Sequence, residues 1–223
     1  MISNVYLLFD IKLNNIIIIS TMEKNKEAGN DKYGNGRLKL AVFLRDKILP
    51  LIKNTNFIEN GTLLGAWRNK KFINHDDDFD FGILIDDMTE IKVIFDIIKN
   101  NIGKCYHCRL IENYSHKIEV YDPAFGKFTL RGKGYYNSDF HYITVDLQFY
   151  LKQDNIYKCL YYRYPQKKIE KNIIIPTQKI ELESELFNSP NNIEKFLKIN
   201  YGCLDKNVKY CEKTGMYFPK RDF

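Results

Sequence analysis

The chain has 223 residues, 44% of them hydrophobic and 14% aromatic, and a formal net charge of +6 with a pI near 8.9. That length suits one domain, with room for a small appendage, and the apolar content excludes global disorder. Acids and bases are interleaved, so the charge is compatible with a polyanionic or phosphate-bearing partner without showing one.

The first segment, "NVYLLFDIKLNNIIIISTM", is apolar but is interrupted by Asp10, Lys12, Asn14 and Asn15. Its clean run, Ile16 to Ile19, is far shorter than the ~20 residues a helix needs to cross a bilayer. No basic region precedes it, as a signal peptide would require. It reads as one or two strands or a loose arm, or as a leader ahead of a start at Met22. We therefore expect no integral membrane segment, and a soluble protein of the cytoplasm or another intracellular compartment. Residues 23–36, "EKNKEAGNDKYGNG", read as a linker. The expected organisation is an arm over residues 1–35 and one domain over 36–223.

A helix is expected from about Arg37, with Leu40, Phe43, Leu44, Ile48 and Leu51 at helical spacing and Pro50 ending it. "NFIEN" reads as a short strand ending at Gly61. "TLLGAWRN" reads as a helix with Thr62 as its N-cap. "FDFGILI" is a strand by alternation. "TEIKVIFDIIKNN" is a helix capped by Thr89, with Ile91, Ile94, Phe95 and Ile98 on one face. Aromatic-rich strands follow: "RLIENY", "KIEVYDP", "KFTLRG" and "YITVDLQFYLK". In the last third, Pro190 and two asparagines open a helix that turns Ile193, Phe196 and Leu197 inward and stops at Gly202. No internal repeats are visible. The pattern is an α+β domain, with helices among mostly non-parallel strands.

Five cysteines, Cys105, Cys108, Cys159, Cys203 and Cys211, form no dense framework, which suits reduced thiols. Cys105 and Cys108 have the spacing of half a zinc site, but a second pair at ligand spacing is missing.

Four of the five residues from Asp76 to Asp80 are aspartates. Continued through a strand, alternation puts Asp76, Asp78 and Asp80 on one face, with Phe79 and Phe81 on the other. Asp77 falls on the Phe face. Carboxylates ~6–7 Å apart along a strand repel one another and are stable against a divalent cation. Hard oxygen ligands suit Mg2+ or Mn2+. Just upstream, Gly61 and Thr62 open a helix. The amides of Thr62, Leu63 and Leu64 and the helix dipole form a candidate phosphate site, with Arg68 in reach of the same anion. Asp146 is the only charged residue between His141 and Leu151, so a buried strand would need to give it a cation or a donor. It is the candidate third acid.

These residues carry a resemblance. "GTLLGAWRNKKFINHDDDFDFGI" resembles the signature of the LicD/fukutin-related (FKRP-like) phospho-alcohol transferase family. "VDLQFY" is similar to that family's later strand motif, and "SPNNIEKFLKINYG" to its C-terminal motif. The three together cover about residues 38 to 202. The resemblance implies a nucleotidyltransferase-like mixed β-sheet flanked by helices. It implies transfer of a phospho-alcohol, of the phosphocholine or ribitol-phosphate type, from a CDP-linked donor to a glycan or glycoconjugate hydroxyl. The cofactor is then Mg2+ or Mn2+, and nucleic acid is not an expected partner. Asp78 and Asp80 match the metal-binding pair, with Asp76 as their neighbour, and Asp146 matches the third acid. Gly61, Thr62, Gly65 and Arg68 match the phosphate-cradling turn. The chain departs from the family at His75, where Trp is usual, and at Glu181-Leu182-Glu183-Ser184, where a glycine is expected.

An EF-hand-like loop counted from Asp76 fails, because its glycine falls one place late, at Gly82. A metal-dependent glycosyltransferase would need a longer nucleotide-binding half ahead of its Asp-x-Asp. A nucleotidyltransferase acting on a small molecule or nucleic acid shares the Gly-Thr and Asp-x-Asp elements but not "SPNNIEKFLKINYG".

Overall fold

The structure is a computed structural model that describes residues 31–219, apart from 74, 75, 77, 113–115, 129–139, 162–166, 206, 207 and 212–215. The N-terminal arm (residues 1–30), His75 and Asp77 therefore lie outside the described residues, as do most of the strand expected at "KFTLRG" and its loop.

The first described element is α1 (Asp31–Phe43), which runs on through a π-helical turn (Leu44–Ile48) and a 3-10 turn (Leu49–Leu51) containing Pro50. The helix begins six residues before Arg37, so residues 31–36 are helix rather than linker. Gly34, Asn35 and Gly36 are poor helix formers, and tertiary contacts override that preference. Arg37 is 1% exposed, with its guanidinium 3.8 Å above the Phe72 ring.

Next come β1 (Asn56–Ile58), α2 (Asn60–Asn69), β2 (Phe79–Ile85) and α3 (Glu90–Asn101). They are followed by β3 (His107–Ile111), β4 (Lys117–Phe128), β5 (Phe140–Gln153), β6 (Ile156–Cys159), β7 (Lys168–Glu170) and the short α4 (Lys171–Ile174). The chain closes with the hairpin β8 (Gln178–Leu182) and β9 (Glu185–Ser189), then α5 (Ile193–Tyr201), then a second hairpin, β10 (Val208–Cys211) and β11 (Met216–Pro219). The fold is α+β.

Seven strands form one mixed sheet. Its spine runs β1-β2-β5-β4-β3, with β6 on β5 and β7 on β6. Among the described residues of this sheet only β2 and β5 pair in parallel, in a register that sets Phe79 beside Val145 and Asp80 beside Asp146. Apart from Leu151 at the end of the pairing, both strands are buried on both faces where they pair, as a parallel pair requires. Phe79, Phe81 and Phe187 stack with centroids 4.9–6.1 Å apart, which docks the β8–β9 hairpin on the core. Each buried Phe of this kind contributes about 1.5–3 kcal/mol.

α3 is held at its start by Glu90, whose carboxylate accepts from the amides of Asp86 and Asp87. Thr89 precedes it without a side-chain cap bond. α5 begins as expected: the Asn192 side chain accepts from the Lys195 amide at 3.0 Å. Gly202, at φ 80°, ends it. Among the described residues no helix is long and apolar enough to cross a membrane.

Candidate active site

The parallel β2–β5 pair builds the acidic centre. Asp78, at the mouth of β2, Asp80 within it and Asp146 on β5 each offer an oxygen within 4.8 Å of the others. Asp80 and Asp146 are 4% and 2% exposed. Burial pushes the Asp80 carboxyl well above the usual carboxylate range, and Asp78 and Asp146 push it further. Burial raises Asp146 too, against the opposing pull of Lys117. A divalent cation against these carboxylates would oppose that shift by favouring their charged form.

One oxygen of each buried acid is occupied. Gln148 Nε2 donates to Asp80 Oδ1 at 2.8 Å. Lys117 Nζ donates to Asp146 Oδ2 at 2.5 Å and pairs with Glu119 at 2.8 Å. Asp146 Oδ1 is buried without a hydrogen-bond partner. An orphaned carboxylate oxygen beside two other carboxylates fits a hard cation, and Mg2+ or Mn2+ suits this all-oxygen donor set.

The order across the sheet explains the arrangement. Arg109 on β3, Glu119 on β4, Asp146 on β5 and Asp80 on β2 are successive register partners. Arg109 pairs with Glu119 at 2.5 Å. A line of alternating interests results: two acids at the site, then Lys117 and Arg109 offsetting the charge behind them.

The approach to β2 is fixed from a distance. Arg37 Nη1 donates to the Asp76 carbonyl at 2.6 Å and to the Asp78 carbonyl at 3.1 Å. Thr62 Oγ1, on α2, accepts from the Asp80 amide at 3.0 Å, and the Glu59 amide donates to the Asp80 carbonyl at 3.1 Å. Glu59 itself is fully buried against the Tyr150 hydroxyl, and burial lifts its carboxyl to about 8.

Several expectations change here. The N-cap of α2 is Glu59, not Thr62, because the helix starts at Asn60. The Leu63 amide is spent on the Glu59 carbonyl at 3.0 Å, so the open first-turn amides belong to Asn60, Gly61 and Thr62. Leu63 and Leu64 turn buried side chains to the core. Gly65 serves packing: a Cβ there would lie 2.4 Å from the Lys71 carbonyl oxygen. Gly61 is needed where α2 meets the acidic segment, since its Cβ would lie 2.5 Å from Asp76 Oδ2. Asp76 therefore rests on Gly61 and stands outside the group of three. It precedes β2, so strand alternation does not reach it. Asp78, Asp80 and Asp146 form the group whose oxygens could meet on one cation, and Asp76 lines the cavity beside Asp80. Cys105, Cys108, Cys159 and Cys203 are free thiols.

A cavity of about 360 Å³ opens beside Asp80. Asn60, Gly61 and Arg68 of α2 form one side, and Tyr201, Leu204, Val208 and Tyr217 form the other. Arg68 Nη2 donates to the Leu204 carbonyl at 2.7 Å and ties the two sides together. The Tyr201 and Tyr217 rings are 6.0 Å apart. Burial, then Asp76 and Asp80, push the Tyr201 hydroxyl well above the ordinary phenol range.

Residues 53–192, more than half of the chain, match the family described as LicD/FKTN/FKRP, nucleotidyltransferase domain. The chain belongs to that family. No curated protein matches it in sequence. The LicD/FKTN/FKRP span holds α2, the three acids, Lys117 and Glu119. Arg37 lies before it, and the cavity wall of Tyr201, Leu204, Val208 and Tyr217 lies after it. Membership supports a transferase of the phosphotransferase type.

Sequence reasoning missed Arg37, Lys117, Glu119 and the C-terminal wall. The segment "KIEV" did carry a signal. Its two charges alternate with two apolar residues, so one face of a central strand is charged and needs partners.

Proposed function

We propose that the protein is a metal-dependent transferase that moves a phospho-alcohol group from a CDP-linked donor to a glycan hydroxyl, releasing CMP. The observation that carries this reading is the Asp78, Asp80 and Asp146 group, whose Asp80 lines a cavity beside a helix N-terminus. Asp78, Asp80 and Asp146 would hold Mg2+ or Mn2+, which supplies charge neutralisation for a pyrophosphate when bound.

The chain's own residues do the rest. The amides of Asn60 and Gly61, at the positive end of the α2 dipole, bind donor phosphate oxygens. Arg68 stands on the same wall of the cavity. At about 360 Å³ the cavity is at the small end of the ~300–1,000 Å³ typical of ligand pockets, which suits a nucleoside or a small alcohol rather than a whole glycan. Tyr201 and Tyr217 offer aromatic faces for the donor's base. The attacking hydroxyl forms a bond to the phosphorus bearing the alcohol, and the bridging P–O bond to CMP breaks. Asp78, the least buried of the three acids, takes the hydroxyl proton and passes it to water. Thr62 and Arg37 hold Asp80 and the Asp78 backbone in place before the donor arrives, so the site needs little reorganisation.

The test is turnover of a CDP-alcohol by Asp78→Asn and Asp80→Asn. Each should abolish it while the circular dichroism spectrum is retained. Full activity in either variant, or in excess EDTA, contradicts the metal assignment.

A further inference from the structure

We propose that this site takes a single divalent cation, and that the Lys117 ammonium stands where a second would otherwise sit. The proposal rests on the metal reading above. Sites with two ions about 3.5–4 Å apart hold them with carboxylates that bridge the pair, so both oxygens of an acid are used. Here one oxygen of each buried acid is already taken by a protein donor. Gln148 holds Asp80 Oδ1 and Lys117 holds Asp146 Oδ2. Asp146 Oδ1 remains, buried and without a partner. One oxygen from each acid suits one octahedral ion that keeps part of its water or binds phosphate.

The charge arrangement agrees. Lys117 is 5% exposed and lies between two carboxylates, 2.5 Å from Asp146 and 2.8 Å from Glu119. Arg109 flanks Glu119 on the next strand. The positive charge that a second metal ion would bring to Asp146 is thus built into the sheet. Lys117 is a positioning residue in this account: by holding Asp146 Oδ2 it leaves Oδ1 turned to the ion.

The experiment is a Mn2+ titration of the full chain, followed by electron paramagnetic resonance of free Mn2+, with and without CDP as the probe nucleotide. One ion per chain is expected in both conditions. Two ions per chain overturn the proposal and leave the metal reading intact. No binding in either condition overturns the metal reading itself, and the proposal with it. In Lys117→Met the affinity for the first Mn2+ should fall more than tenfold, and a second ion bound only in this variant supports the placement of the ammonium. Unchanged or tighter binding of the first ion refutes the role given to Lys117. Lys117→Gln, which keeps a donor for Asp146 without the charge, guards against a folding defect and should also bind more weakly. Circular dichroism of each variant reports the fold independently of activity.

Discussion

Replacing Thr62 with valine separates two jobs for one hydroxyl. The family resemblance makes Thr62 part of a phosphate cradle. In the structure its oxygen accepts from the Asp80 amide at 3.0 Å, and the residue is fully buried. Valine has nearly the same shape but no acceptor, so a buried amide is left unpaired at a cost of about 1–3 kcal/mol. For a chain of this length each kcal/mol lowers Tm by roughly 2–4 °C, so a fall of about 2–12 °C is expected. The Asp80 carboxylate is displaced as its backbone loosens, and Mn2+ affinity falls with it. Thr62→Ser keeps the acceptor and should lie close to the parent in both measurements. Differential scanning calorimetry and a Mn2+ titration report the two effects. A Thr62→Val variant with unchanged Tm and unchanged Mn2+ affinity, but a raised KM for the donor, would refute this placement and restore the phosphate-binding role.

Other outcomes follow from the same geometry. Asp80→Asn should raise the Tm of the metal-free protein at pH 7, because burial and neighbouring acids penalise the charged form there; an unchanged or lower Tm contradicts that penalty. Glu59 has a folded pKa raised from 4.5 to about 8, so its contribution to stability is present at low pH and lost as pH rises between those values. Glu59→Gln should therefore flatten the fall of Tm across that window, as calorimetry at several pH values would show. Gly65→Ala puts a Cβ 2.4 Å from the Lys71 carbonyl and should destabilise by about 1–3 kcal/mol; a neutral effect in urea unfolding contradicts the close approach. Tyr217→Ala should raise donor KM several-fold with little change in Tm, since its ring lines the cavity at a partly exposed position; equal KM in the variant would remove that wall from the donor site.

Local patterns were the readable part of this chain. The expected strand "FDFGILI" is β2 residue for residue, because Phe79 to Ile85 is short, apolar and bounded by polar segments. The Asn192 cap and the Gly202 stop of α5 follow from local chemistry alone. Asp146 stood out as a lone charge in an apolar strand, and the structure sets it beside Asp80. What failed depended on register or on distance along the chain. Arg109, Glu119, Asp146 and Asp80 line up only once four strands are paired, and no single segment states that pairing. Arg37 reaches the Asp76 carbonyl from 39 positions away, out of a helix start that carried no sign of that contact. The start of α2 was misplaced because Glu59 read as strand, whereas its backbone turns at Asn60, which has φ 49°. Asp76 was grouped with its neighbours by alternation, yet it lies before the strand where alternation begins.

The central claim is that this acidic site transfers a phospho-alcohol from a CDP-linked donor. The direct measurement is CMP release from a panel of CDP-alcohols, including CDP-choline and CDP-ribitol, with Mg2+ and with EDTA. The account predicts CMP from at least one donor with Mg2+, abolished by EDTA and in Asp78→Asn. CMP from none, together with hydrolysis or transfer from a nucleoside triphosphate, would contradict it and point to a nucleotidyltransferase of another substrate class.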